Sequence, residues 1–260
     1  MRSALAALLL ALPLGAAAQP VLEFRHDLAF SAAEVDADAA RAYGARLRTL
    51  AGVDELDADP ALKARLRYIL PRLLEAAAYE KPSSARLAWE VHSCRGCGEN
   101  ASAMAGGKLL VSADFVARLR LSDDELAYLL AHEIGHVLAE HTREYASAAR
   151  YFVDNGLRRT YPDIERELSE SVAVNLRMSA VSAQQELEAD YIGFVLGARA
   201  GFRPRAMLTL LGKLDGSEGF LGDHPTAARR IAQARSMLES ARRLAARYRA
   251  NAAAKARSRE

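Results

Sequence analysis

Apolar side chains recur along this chain with two different periods, and the change of period divides it. Between residues 31 and 80 Ala, Leu and Arg dominate, and Leu62, Leu66, Ile69, Leu70, Leu73 and Leu74 fall at helical spacing. Pro71 interrupts that run, so a helical segment kinked or restarted there is expected. From Leu87 to Val116 the apolar runs shorten. Leu87-Ala88-Trp89-Glu90-Val91 and Leu109-Leu110-Val111 flank a Gly-containing stretch from Cys94 to Gly107, which predicts a small antiparallel sheet with Trp89 in its core. Ser122 and Glu125 then make a capping box and open a long helix, whose buried side is Leu126, Leu129, Leu130, Ile134, Val137 and Leu138. More helix is expected over 142–182, with breaks near Asn155-Gly156 and Tyr161-Pro162. Another helix should run from about Ala183 to Ala200, ending at Gly201. A shorter helix follows Pro204, a Gly-rich loop covers 212–222, and a last helix starts at Thr226. The expected fold is α+β and mainly α-helical, with the small sheet beside the helix that Ser122 caps.

Composition narrows the function. The chain has 260 residues, 51% apolar and 26% charged, which is ordinary for one sizeable globular domain. A formal net charge of +2 and few aromatics in basic surroundings give no case for a nucleic-acid binder. Met1-Arg2, the apolar run Ala4 to Leu14 and then Gly15-Ala16-Ala17-Ala18-Gln19 have the form of a secretory signal peptide cut after Ala18. The run falls short of the roughly 20 apolar residues that span a bilayer. A soluble protein exported to an oxidising space, a bacterial periplasm, is therefore expected. Cys94 and Cys97 are spaced C-x-x-C, and a local disulfide bracing a turn is the favoured reading. A redox pair lacks a thioredoxin-like context, and half of a zinc site lacks a second C-x-x-C. Seven Lys or Arg against one acid in Ala241 to Glu260 read as a solvated terminal helix, with peripheral contact to an anionic envelope membrane as the other reading.

The chemistry is concentrated in His132-Glu133-Ile134-Gly135-His136. Two His four apart on a helix share a face and can bind one Zn²⁺, while Glu133 reaches the position of a metal-bound water and can take its proton. A third ligand is needed. Thr142 stands where a metzincin-type pattern would place a His, and Ala139 where it would place a Gly, so that pattern fails. His141, nine residues from His132, is expected on the opposite side of the helix, structural or solvent-exposed. Glu186-Leu187-Glu188-Ala189-Asp190 supplies the alternative: Glu186 and Asp190 share a face, Glu186 to ligate and Asp190 to accept a hydrogen bond from a ligating His. Glu188 is expected to point elsewhere as a surface acid.

These motifs resemble the HtpX and CAAX-prenyl-protease type of gluzincin, particularly its small periplasmic members, over about Glu99 to Ala232. The resemblance rests on Asn100-Ala101 followed by Gly106-Gly107, the His132 to His136 helix, Glu186 to Asp190, and His224-Pro225 with Arg230 six residues on. The several membrane-spanning helices of the integral members have no counterpart here. The resemblance implies a zincin-type metallopeptidase domain and one Zn²⁺ held by His132, His136 and Glu186. Glu133 would be general base and Asp190 would orient a ligand. His224 and Arg230 would line the cleft and stabilise the oxyanion, or His224 would cap the zinc at rest; Arg229 could replace Arg230. Asn100 and Ala101 would enter the cleft as a substrate-binding strand, so extended or unfolded protein segments are the expected substrates. The implied organisation is a leader over 1–18, a helical segment over 19–80, a metallopeptidase core over 81–235 and a basic tail over 236–260. A peptidase acting on misfolded or misassembled envelope proteins is the leading function; a chaperone-like assembly factor that cleaves rarely is the alternative.

Overall fold

Ser31 starts the first helix by accepting a hydrogen bond from the Glu34 N–H, and α1 runs over Ala32–Ala51. The structure, a computed structural model, describes residues 28–98, 101–215 and 228–241. After α1 the chain turns through Asp54 and Asp57, both at positive φ, and Asp59 caps α2 (Pro60–Glu80) by accepting from Ala61 and Leu62 N–H. The break in the 31–80 segment thus lies at the turn before Asp59. At Pro71 the helix continues, with the proline on its exposed side. The interior proline costs about 3 kcal/mol. Leu66, Ile69, Leu70 and Leu73 are buried on the opposite face, and at about 1.5–3 kcal/mol each their burial outweighs that cost.

Three strands follow: β1 (Glu90–Cys94), β2 (Ala101–Met104) and β3 (Lys108–Ser112), in the order β1-β3-β2. The sheet is present where the pattern placed it, but it is mixed. β2 and β3 are joined by the short turn Ala105-Gly106-Gly107 and pair antiparallel, whereas β3 inserts beside β1 and runs parallel to it. Trp89 packs against the core beside this sheet. The order leaves β2 at an edge.

Next come a short α3 (Ala113–Arg118) and then α4 (Asp123–Leu138). The capping box forms: Ser122 Oγ accepts from Glu125 N–H at 3.3 Å, and Glu125 Oε2 accepts from Ser122 N–H at 2.8 Å. Leu126, Leu129, Leu130, Ile134, Val137 and Leu138 are all buried, and so are His132 and Glu133 on the other side. α4 is therefore the central helix, packed against α2, β2 and the later helices α7 (Val172–Arg199) and α8 (Arg205–Asp215). Between them lie α5 (His141–Ala149) and α6 (Tyr161–Glu170), the latter with Pro162 in its first turn, where a missing N–H costs nothing. α7 begins at Val172 rather than near Ala183, because Ser171 caps it and Val174 and Met178 join an apolar cluster with Phe30, Val35, Tyr161 and Ile164. The last described segment is helical over 228–241 and buries Ala234, Met237 and Leu238. The leader, Asn100, His224 and the tail beyond residue 241 lie outside the described residues, as does most of the Gly-rich loop.

Candidate metal centre

Small residues let α4 and α7 approach closely enough to share a site. A Cβ added at Gly193 would lie 2.9 Å from the His132 nitrogen, and one at Gly135 would lie 2.9 Å from the Ala189 carbonyl oxygen. Real side-chain carbons do not tolerate such contacts, so both positions must lack one.

Across this contact His132 and His136 of α4 face Glu186 of α7. Their Nε2 atoms are 3.1 Å apart, and Glu186 places Oε2 3.3 Å from His132 Nε2 and Oε1 3.3 Å from His136 Nε2. A tetrahedral shell with bonds of about 2.0–2.1 Å has ligand-to-ligand edges of about 3.3 Å, so the donor set fits zinc. The cluster of three could hold a metal ion, with one ligand atom of each inside a 4.8 Å span. The charges fit as well. Glu133, Glu186 and Asp190 are buried against one buried guanidinium, Arg230. With both imidazoles neutral, as metal ligands must be, three formal negative charges and one positive leave two negative charges, which a divalent cation offsets in place of the proton that His132 holds without it.

Each histidine has its own surroundings. His132 Nδ1 lies 3.0 Å from Asp190 Oδ1. Burial by itself would lower the His132 pKa, but Glu186 and Asp190 outweigh it and hold the ring at about 9. At His136 burial wins and pushes the pKa down to about 3, which keeps that imidazole neutral and able to donate a lone pair. Desolvation opposes ionisation of Asp190, yet Arg230 and His132 bring its pKa below the usual range.

Arg230 is not where the resemblance put it. Its guanidinium binds Asp190 twice, Nε to Oδ2 at 2.7 Å and Nη2 to Oδ1 at 2.8 Å, and its Nη1 lies 3.1 Å from Glu186 Oε2. It is buried behind the cluster and does not line the cleft, whereas Arg229 is exposed. His141 is buried rather than solvent-exposed, and it does not lie on the far side of the helix. α4 ends at Leu138, Glu140 takes a left-handed conformation (φ 58°, ψ 35°), and α5 starts at His141 and returns its ring to the site. His141 is buried, with Nδ1 2.8 Å from His136 Nδ1. Glu188, expected to be a detached surface acid, has Oε2 3.4 Å from His141 Nε2. The sequence held no local sign of this turn, since Glu140 is neither Gly nor Asn. Its conformation is supported by Lys81, distant in sequence and 3.1 Å from Glu140 Oε1, and locally by Arg143, 2.8 Å from Oε2.

A cleft of about 650 Å³ opens beside the cluster. Glu133 and His136 face it, Ala101, Ser102 and Ala103 of β2 form one wall, and Tyr145, Glu165 and Asn175 lie among the residues of the other. Cys94 and Cys97 also line it and are joined as a disulfide across a Cα separation of 5.9 Å.

The profile of Peptidase family M48 matches residues 60–238, more than two-thirds of the chain. The chain belongs to peptidase family M48. The gluzincin resemblance holds at that level, and the M48 cofactor is zinc, in keeping with the donor geometry. The chain is 31% identical over 195 residues to the mitochondrial metalloendopeptidase OMA1 of Saccharomyces cerevisiae, covering 65% of this chain and 54% of that protein. It is 32% identical over 165 residues to the OMA1 of Schizosaccharomyces pombe, covering 60% of this chain and 48% of that protein. Against the OMA1 of Arabidopsis thaliana it is 34% identical over 165 residues, 59% of this chain and 33% of that protein. The chain thus spans about half, or less, of the length of the curated relatives it matches.

The expectation of a soluble periplasmic protein is overturned by these relatives, all three of which are mitochondrial. No helix among the described residues is long and apolar enough to cross a membrane.

Proposed function

We propose that this M48 chain is a zinc endopeptidase that hydrolyses peptide bonds in extended or unfolded polypeptide. One juxtaposition carries the reading: edge strand β2 walls the cleft that Glu133 and His136 face. An extended chain can pair its main chain with such an edge, and a compact fold cannot, because its backbone groups are already paired. His132, His136 and Glu186 hold the zinc. Bound zinc supplies a Lewis acid that polarises a carbonyl and acidifies water. Glu133 takes the proton from the attacking water and passes it to the departing amine. Asp190 fixes the tautomer of His132 by accepting from its Nδ1–H, and Arg230 holds Asp190 in place. Broad sequence tolerance follows, since main-chain pairing reads no side chain.

The test gives the zinc-loaded chain one substrate protein in native and in unfolded form. The unfolded form should be cut and the native form spared, with cleavage abolished by a chelator and restored by zinc. Equal cleavage of both forms would overturn the substrate reading. Capture of the unfolded form without cleavage would favour a chaperone-like binder.

A further inference from the structure

The two histidines of the cluster are held in different ways, and the difference assigns a role to a residue outside the family motif. His132 meets a carboxylate directly, Asp190, at 3.0 Å. His136 meets another imidazole: its Nδ1 lies 2.8 Å from His141 Nδ1, and the far nitrogen of His141 lies 3.4 Å from Glu188 Oε2. We propose that His141 is the positioning residue of His136, passing a carboxylate's orienting effect from Glu188 through a second ring. This rests on the reading of His136 as a zinc ligand.

The tautomers agree along the whole line. A neutral imidazole that gives its Nε2 lone pair to a metal carries its proton on Nδ1 and must donate there. His136 then donates from Nδ1 to His141 Nδ1, which accepts. A neutral His141 accepting at Nδ1 carries its own proton on Nε2, the atom facing the Glu188 carboxylate. Its Nδ1 lone pair is therefore engaged by His136, so His141 is no ligand itself.

The fold keeps His141 in that position. It is the first residue of α5, behind the left-handed Glu140, and is 3% exposed. Gln185 of α7 donates to the His141 carbonyl at 3.2 Å and to Glu144 Oε2 at 2.7 Å, which ties the start of α5 to the helix that carries Glu186. Partners of this kind commonly govern metal affinity by about 10- to 100-fold.

Two near-isosteric substitutions separate positioning from packing. An Asn side chain puts an acceptor oxygen close to where His Nδ1 sits, whereas Gln puts an amide donor close to the place of Nε2. Zinc affinity would be measured by competition with a chromophoric chelator, beside the melting temperature of the metal-free protein, for the unaltered chain and for His141→Asn, His141→Gln and His141→Ala. His141→Asn should retain zinc affinity within about threefold, while His141→Gln and His141→Ala should lose about 10- to 100-fold. All metal-free forms should melt close together. Unchanged affinity in all three variants would overturn the proposal, as would equal losses in all three that track the melting temperatures. Because the readout is zinc binding, this result does not depend on whether the chain cleaves polypeptide.

Discussion

Arg230 shows how a residue can belong to a site without facing the substrate. Its guanidinium is shared between Asp190 and Glu186, all three nearly inaccessible to solvent. Removing one partner of a buried ion pair leaves an uncompensated charge and typically costs about 3–5 kcal/mol. Arg230→Met should therefore destabilise the metal-free chain by about 3 kcal/mol in urea unfolding and weaken zinc binding, because Asp190 loses its anchor, while the folded, zinc-loaded fraction turns over at close to the normal rate. A residue that stabilised the oxyanion would behave oppositely, with turnover slowed and stability unchanged. Much at this scale was legible in the sequence. A spacing of four on a helix fixes a shared face, so His132 with His136, and Glu186 with Asp190, could be paired from their positions alone. His141 and Glu188 could not be paired so. Extending α4 three residues too far turned His141 away from the site, and what ends α4 is a conformation of Glu140 supported by Lys81, 59 positions earlier in the chain.

At the scale of elements, the site is the contact between α4 and α7, and Gly193 sets how close they come. Gly193→Ala puts a methyl group against the His132 backbone and must push the helices apart. Overpacking of this kind costs about 1–3 kcal/mol, and the shift also moves Glu186 away from the histidines. Unfolding and zinc titration of Gly193→Ala should both show a loss, and a variant that kept both values would refute the close-contact argument. The helix starts that carry capping chemistry were readable, Ser122 with Glu125 above all. Those set by tertiary contact were less so. α7 begins at Val172 because Val174 and Met178 find Phe30 and Tyr161, a cluster assembled from distant parts of the chain. The direction of β1 was likewise invisible, because parallel pairing with β3 depends on where β3 inserts.

For the whole molecule, the N-terminal helices brace the two layers that build the site. Tyr43 of α1 donates to the Leu109 carbonyl of β3 at 2.6 Å, and Glu80 at the end of α2 pairs with Arg199 at the end of α7 at 2.7 Å. The sheet edge, the cluster and the cleft are thus held by one frame, and family membership extends across it from residue 60 to residue 238. The motifs pointed to that family, whereas the expected periplasmic location did not hold. In the proposed mechanism Glu133 takes a proton from water beside a zinc held by His132, His136 and Glu186. The most direct measurement compares cleavage of an unfolded protein by the unaltered chain and by Glu133→Gln, each shown to carry equal zinc. The variant should turn over about a hundredfold more slowly or worse, at the scale of a lost general base, with its zinc content unchanged. Equal rates at equal zinc content would contradict the role of Glu133.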